Sequence, residues 1–256
     1  PSQTGIHAEF WDVPAIRDVV KILFDVEYRS DSSYQLLLRF CGLSFKLPDP
    51  FDKHRDEQAV TRRMAEVKAQ VKDLLDAGWE VYAADEVRLE HEAETRRMQL
   101  PKGQRTKLSV DRQKTSQSFF GALSLTSKKV KLYPIEGNQN TEQTILALER
   151  LQRETETGKI AVVLDNARSH HAKALTALHE PGRLLERITP IHLPPYAPDH
   201  NPVEHVRNAA KNNIATIQHE TPEETFGAFA SYIASRTFDY DFEHLPLRET
   251  RNDFVS

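Results

Sequence analysis

An α/β protein, with a layered mixed-sheet domain behind a smaller helical one, follows from three features of the chain. Apolar residues up to Gly42 recur at helical spacing. From Trp79 the period changes to the alternation of a strand. Beyond it, apolar runs and helical stretches give the order strand, two hairpin strands, helix, strand, helix, strand, helix, which is that of a sheet layered with helices.

In the first helix Ile16, Val19, Val20, Leu23 and Phe24 form one apolar stripe behind a cap at Asp12. In the second, Ser30 or Asp31 caps a helix that turns Tyr34, Leu37, Leu38 and Cys41 inward and ends at Gly42. Its outer side shows Ser32, Ser33, Gln35 and Arg39. Two helices joined by a short turn suit a helix-turn-helix that reads a major groove, although any helical hairpin has the same pattern. Pro48 and Pro50 mark a linker, and Val60, Met64, Val67, Val71 and Leu74 outline a long amphipathic helix that Gly78 ends.

The strand "WEVYAADEVRLE" has an apolar row of Val81, Ala83, Asp85, Val87 and Leu89, and a polar row of Glu80, Tyr82, Ala84, Glu86, Arg88 and Glu90. "SFFGALSL" and "KVKLYPIE" form a hairpin about "TSKK". A helix with Ile145, Leu148 and Leu151 follows Asn140, and "IAVVLD" is a short buried strand ending in Asp165. A helix from Ser169, the strand "ITPIHL", a proline loop and a helix burying Val203, Val206, Ala210, Ile214 and Ile217 complete the series. The expected domains are 1–47, helical; 48–78, linker and connecting helix; 79–220, the layered α/β domain; and 221–256, a capped helix with an acidic, aromatic tail. Because the chain starts at Pro1, an upstream part of the first domain is expected to be missing.

Bulk properties exclude several classes. The longest apolar run, Ile160 to Leu164, is far too short to cross a membrane, and no signal peptide is apparent. The one cysteine, Cys41, excludes an internal disulfide framework, fits a reducing, intracellular setting, and reads as a small core residue. Net charge is -4, yet Arg96 to Lys131 holds ten basic residues against the single acid Asp111. That segment, with Arg97, Lys102, Arg105 and Lys107, is either a solvated basic face or a phosphate-binding surface. Eleven histidines cluster partly near the acids, but no HExxH or Cys/His spacing supports zinc. No GxSxG elbow or Gly-rich phosphate loop occurs.

Three acids stand out. Asp85 points to the core side of a strand, which is costly unless it is paired or binds a metal. Asp165 ends a buried strand, where α/β proteins place their sites, although a turn or cap explains it equally. Glu204 in "NPVE" reads as the N3 member of a capping box begun by Asn201, with Pro202 first in the helix. Capping alone does not require the four prolines 194, 195, 198 and 202, which stiffen the lead-in and lower the entropy lost in holding Glu204 at a site. On that helix Glu204, Arg207 and Lys211 share a polar face. Converging carboxylates repel unless cations bridge them, and hard oxygen donors suit Mg²⁺ or Mn²⁺. Two such ions about 3.5 to 4 Å apart serve in-line displacement at a phosphodiester.

"YAADE", "VVLDNARSHH" and "HLPPYAPDHNPVEHV" together resemble the DDE transposases of the Tc/mariner superfamily, in particular their bacterial insertion-sequence branch. The resemblance covers about Trp11 to Ile217 and implies an RNase H-like catalytic domain in which Asp85, Asp165 and Glu204 form the catalytic, metal-binding triad. Between Asp165 and Glu204 lie 38 residues, slightly more than that family's spacing, as a loop insertion would give. The segment from Trp11 to Pro48 is similar to the family's second helix-turn-helix subdomain, which implies DNA contacts from Ser32, Ser33, Gln35 and Arg39. Arg207 and Lys211 are expected on phosphate, and His170 either on phosphate or holding Asp165, with a polar role at a helix start equally open. His200 stands where members often carry Leu, Arg207 where they often carry Trp, and Met98 or Leu100 where an aromatic is expected. The implied activity is metal-dependent cleavage of transposon ends and strand transfer at TA targets. Implied partners are double-stranded DNA with terminal inverted repeats, target DNA and a second copy of the chain. The implied setting is a prokaryotic cytoplasm, at the nucleoid. A nuclease that does not transpose, or a DNA-binding protein that no longer catalyses, are the alternatives on the same fold.

Overall fold

The computed structural model describes residues 11–43, 55–95, 107–112, 114–166 and 173–245. The chain divides into two compact units, Pro1–Phe51 and Asp52–Ser256.

In the first unit, helices α1 (Val13–Phe24) and α2 (Asp31–Phe40) form where the apolar spacing predicts. Asp12 caps α1 by accepting from the Ala15 amide at 2.8 Å, and Asp25, left-handed at φ 52°, ends it. Ala15, Val19 and Val20 of α1 and Tyr34 of α2 are buried, and the Tyr34 hydroxyl accepts from the Tyr28 amide at 2.8 Å. Two short helices bury too little area to cover a whole stripe. Leu23 and Phe24, expected inward, are therefore 58% and 68% exposed, and Leu37 and Leu38 are only half-buried. Cys41 is exposed rather than part of a core.

The second unit is a five-stranded mixed sheet between helical layers. Its strands are β1 (Glu80–Glu90), β2 (Ser116–Ser124), β3 (Val130–Ile135), β4 (Ile160–Leu164) and β5 (Ile188–His192), in the spatial order β3-β2-β1-β4-β5. The β1–β2 and β2–β3 pairs are antiparallel, while β1–β4 and β4–β5 are parallel. On one face α3 (Glu57–Asp76), α6 (Pro202–Ile214) and α7 (Pro222–Ala234) pack over Val81, Ala83, Val87, Phe119, Leu123 and Val163. On the other, α4 (Thr141–Arg153) and the short α5 (Lys173–Thr176) cover Tyr82, Ala84, Phe120, Ala122 and Val162.

This two-sided burial corrects the expected polar row of β1. Tyr82 and Ala84 are buried, because β1 is an interior strand with helices on both faces. The helix expected from Ser169 begins outside the described residues. Helix α6 buries Val203, Val206, Ala210 and Ile214 but stops there, so Ile217 lies beyond it, half exposed. Val60, Met64, Val67 and Val71 of α3, Phe229 and Ile233 of α7, and Phe238 and Phe242 after it all enter the core that β1 shares with α6. Divisions at 78/79 and 220/221 thus fall inside one core. Among the described residues no helix is long and apolar enough to cross a membrane.

Candidate active site

Asp85 lies in the middle of β1, opposite Gly121 on β2. The β1–β4 register pairs Ala83 with Val163, and extending it two residues sets Asp165, just past the end of β4, beside Asp85. Strand alternation gives both carboxylates the face that α6 covers. Asp165 and Asp85 are both half-buried, the Asp85 side chain with 13% exposure. Burial, opposed by the Arg207 guanidinium and aided by the charges of Glu204, Asp165 and Glu86, pushes the Asp85 carboxyl up to about 7.

Glu204 arrives from the other side, on the first turn of α6. Asn201 starts that turn by accepting from the Val203 amide at 3.3 Å. The same side chain, buried, donates to the Ala84 carbonyl at 3.1 Å. One asparagine therefore ties the start of α6 to the strand residue before Asp85. The reciprocal half of a capping box does not form: the Asn201 amide donates to the Pro198 carbonyl, and Glu204 pairs with Arg207. Arg207 also reaches Asp85, with Nη1 3.0 Å from Oδ2. A single guanidinium thus stands between the two carboxylates. As they stand, no three acidic, imidazole or thiol groups among the described residues converge tightly enough to hold one metal ion.

The proline loop before Glu204 is braced by Arg55, two residues before α3, and by Arg63 within it, which sequence reasoning did not reveal. Arg55 donates to Asp199 at 2.6 Å and to the Tyr196 carbonyl at 3.2 Å, and Arg63 donates to the His192 carbonyl at 3.1 Å. Burial pushes the Asp199 carboxyl up, but the hydrogen bond and charge of Arg55 more than offset it and hold that carboxyl below its usual range. Tyr196 adopts a left-handed backbone at φ 58°, a cost such contacts offset. Gln218 was missed as well: its Oε1 accepts from both the Ala93 and Asp111 amides at 3.1 Å, gathering the two ends of the long β1–β2 connection. No sequence pattern pointed to these braces, because each bond joins residues distant in sequence.

Residues 80–225, more than half of the chain, match the DDE superfamily endonuclease family. The chain belongs to that family. This DDE endonuclease also has the fold of Mos1 transposase. The Mos1 paired-end complex with the left transposon end superposes with a TM-score of 0.59 at 15% identity, over 93% of this chain and 76% of that one. The Mos1 strand transfer complex gives 0.59 at 15%, and the mariner Mos1 paired-end complex with Mg gives 0.58 at 16%, with the same coverage in both cases. No curated protein sequence matches the chain. The mixed sheet and its helices are thus those of an RNase H-like catalytic domain.

The remaining expected residues of the endonuclease fall in separate places. Ser32, Gln35 and Arg39 are exposed on α2 and Ser33 is half-buried there. Lys107 is exposed, and Lys211 is half-buried one turn beyond Arg207 on α6. Arg97, Lys102, Arg105 and His170 lie outside the described residues. Arg207, also expected on phosphate, directs its guanidinium to Asp85 and Glu204.

Proposed function

We propose that the chain is a DNA transposase whose catalytic acids are Asp85, Asp165 and Glu204. The observation that carries this reading is the approach of Asp85 and Glu204, 119 residues apart in sequence, to one guanidinium, with Asp165 two residues past the last β1–β4 pair, Ala83 with Val163. The donor set fits Mg²⁺ or Mn²⁺: all three are carboxylates, side-chain exposure is only 13% at Asp85 and 15% at Glu204, and burial with like charge favours a cation among them. Mos1 complexes with Mg and with Mn support the same ions here, and a pair of them is proposed because in-line displacement at a phosphodiester uses two. When bound, such ions activate the attacking oxygen and stabilise the leaving oxygen of a phosphodiester.

The chain's own residues provide the frame. Asn201 fixes the start of α6 against β1, and Arg55 and Arg63 hold the loop that delivers Glu204. Helix α2 reads the transposon end through Ser32, Ser33, Gln35 and Arg39, as the second helix of a helix-turn-helix. Arg97, Lys102, Arg105, Lys107, His170 and Lys211 contact phosphates. Terminal inverted repeats, TA targets, a homodimer and a place at the prokaryotic nucleoid complete the proposal.

The test is incubation of the protein with linear end DNA and a plasmid target in Mg²⁺ or Mn²⁺, beside Asp85→Asn and Glu204→Gln. Joined products, lost in both variants, support the reading. Cleavage without joining assigns a nuclease, and binding alone assigns a DNA-binding protein.

A further inference from the structure

We infer that Arg207 is a built-in competitor for the metal, an internal cation that must leave Asp85 and Glu204 before a divalent ion can engage both. The inference rests on the proposed role of these carboxylates as metal ligands. Three features of Arg207 carry it.

The first is where the charge sits. Nη1 lies 3.0 Å from Asp85 Oδ2, and Nη2 bonds Glu204 Oε2, so the two prongs of one planar group address two different carboxylates. An ion that ligates both acids must share or take that position. Side-chain exposure of 26% at Arg207 and 13% at Asp85 means little water screens the competition.

The second is that the seat is incomplete. Arg207 Nε is buried with no hydrogen-bond partner among the described residues, and the further contact of Nη1 with the Glu86 carbonyl is long at 3.4 Å. A buried donor left unmade weakens the bound position by its desolvation cost. Charge, rather than a full set of hydrogen bonds, holds the guanidinium, and a doubly charged ion can outbid a single charge.

The third is that release requires no backbone movement. Arg207 is three residues after Glu204 on α6, so the ligand and its competitor ride on the same rigid turn. A change of side-chain rotamer is enough to exchange one cation for the other.

Mn²⁺ binding to the full chain without DNA, followed at fixed ionic strength by the electron paramagnetic resonance of free Mn²⁺, tests the inference. Arg207→Gln is expected to tighten binding about tenfold, a change near 1.4 kcal/mol. Arg207→Lys keeps the charge but loses the two-pronged fork, and is expected to tighten it about threefold; it serves as the second variant should Arg207→Gln fail to fold. Arg88→Gln removes the same charge from an exposed site three residues beyond Asp85 on β1 and controls for general electrostatics. Unchanged or weaker binding in both Arg207 variants overturns the inference, as does equal tightening in Arg88→Gln. If Asp85→Asn binds Mn²⁺ as tightly as the unaltered chain does, the metal-site reading itself fails and the inference falls with it. Tighter binding in Arg207→Gln that Asp85→Asn abolishes supports both.

Discussion

Asp85 is ionised at a cost that burial sets first, with Arg207 opposing it and Glu204, Asp165 and Glu86 adding to it. Its carboxyl is held at about 7 against an ordinary 3.8, so the folded chain binds that proton more tightly than the unfolded chain does. Between those two values stability must fall as pH rises, and the contribution is fully lost above 7. Asp85→Asn removes the titration. In EDTA it is expected to melt at the same temperature as the unaltered chain near pH 4, and several degrees higher at pH 8. A gap that does not change with pH, or a lower melting temperature at pH 8, contradicts this. Asn201→Ala acts differently, since it removes a helix cap and leaves the Ala84 carbonyl without its buried donor. A loss of about 1 to 3 kcal/mol in urea unfolding is expected, with DNA cleavage falling further than stability alone explains. Asp85 was legible in the sequence because a charge in an apolar row breaks a local pattern. The bond from Asn201 to Ala84 was not, since nothing in "NPVE" indicates which strand carbonyl waits 117 residues earlier.

The loop between β5 and α6 is stiffened twice, by its prolines and by two arginines, Arg55 just before α3 and Arg63 within it. Arg55 is the removable part of that support, with its guanidinium on Asp199 and the Tyr196 carbonyl. Arg55→Ala is expected to leave the fold intact while amide hydrogen exchange rises across residues 193–201 and cleavage slows about tenfold or more, as misplacement of a catalytic group does. Unchanged exchange there would show that the prolines suffice alone. Periodicity found nearly every element of the second unit, because each strand and helix carries its own apolar pattern. It failed where burial depends on neighbours: Tyr82 and Ala84 read as a polar row until α4 covers them, and Leu23 and Phe24 read as core although α2 is too short to cover them.

The proposed acids have unequal foundations. Asp85 is in a strand bonded on both sides and covered on both faces, and Asp165 follows the fully buried β4. Glu204 rides at the first turn of a helix, behind a loop secured by Arg55, Arg63 and Asn201. Local opening draws on segments with few such contacts, at a fraction of the free energy of global unfolding. Topology could be anticipated from element order, but this inequality could not, because it lies in which bonds Arg55, Arg63 and Asn201 make across the fold. Warming should therefore disable the third acid while the sheet is still whole. Cleavage measured against temperature is expected to decline several degrees below the loss of far-ultraviolet ellipticity and to recover on cooling, a reversible thermal cut-out set by one braced loop.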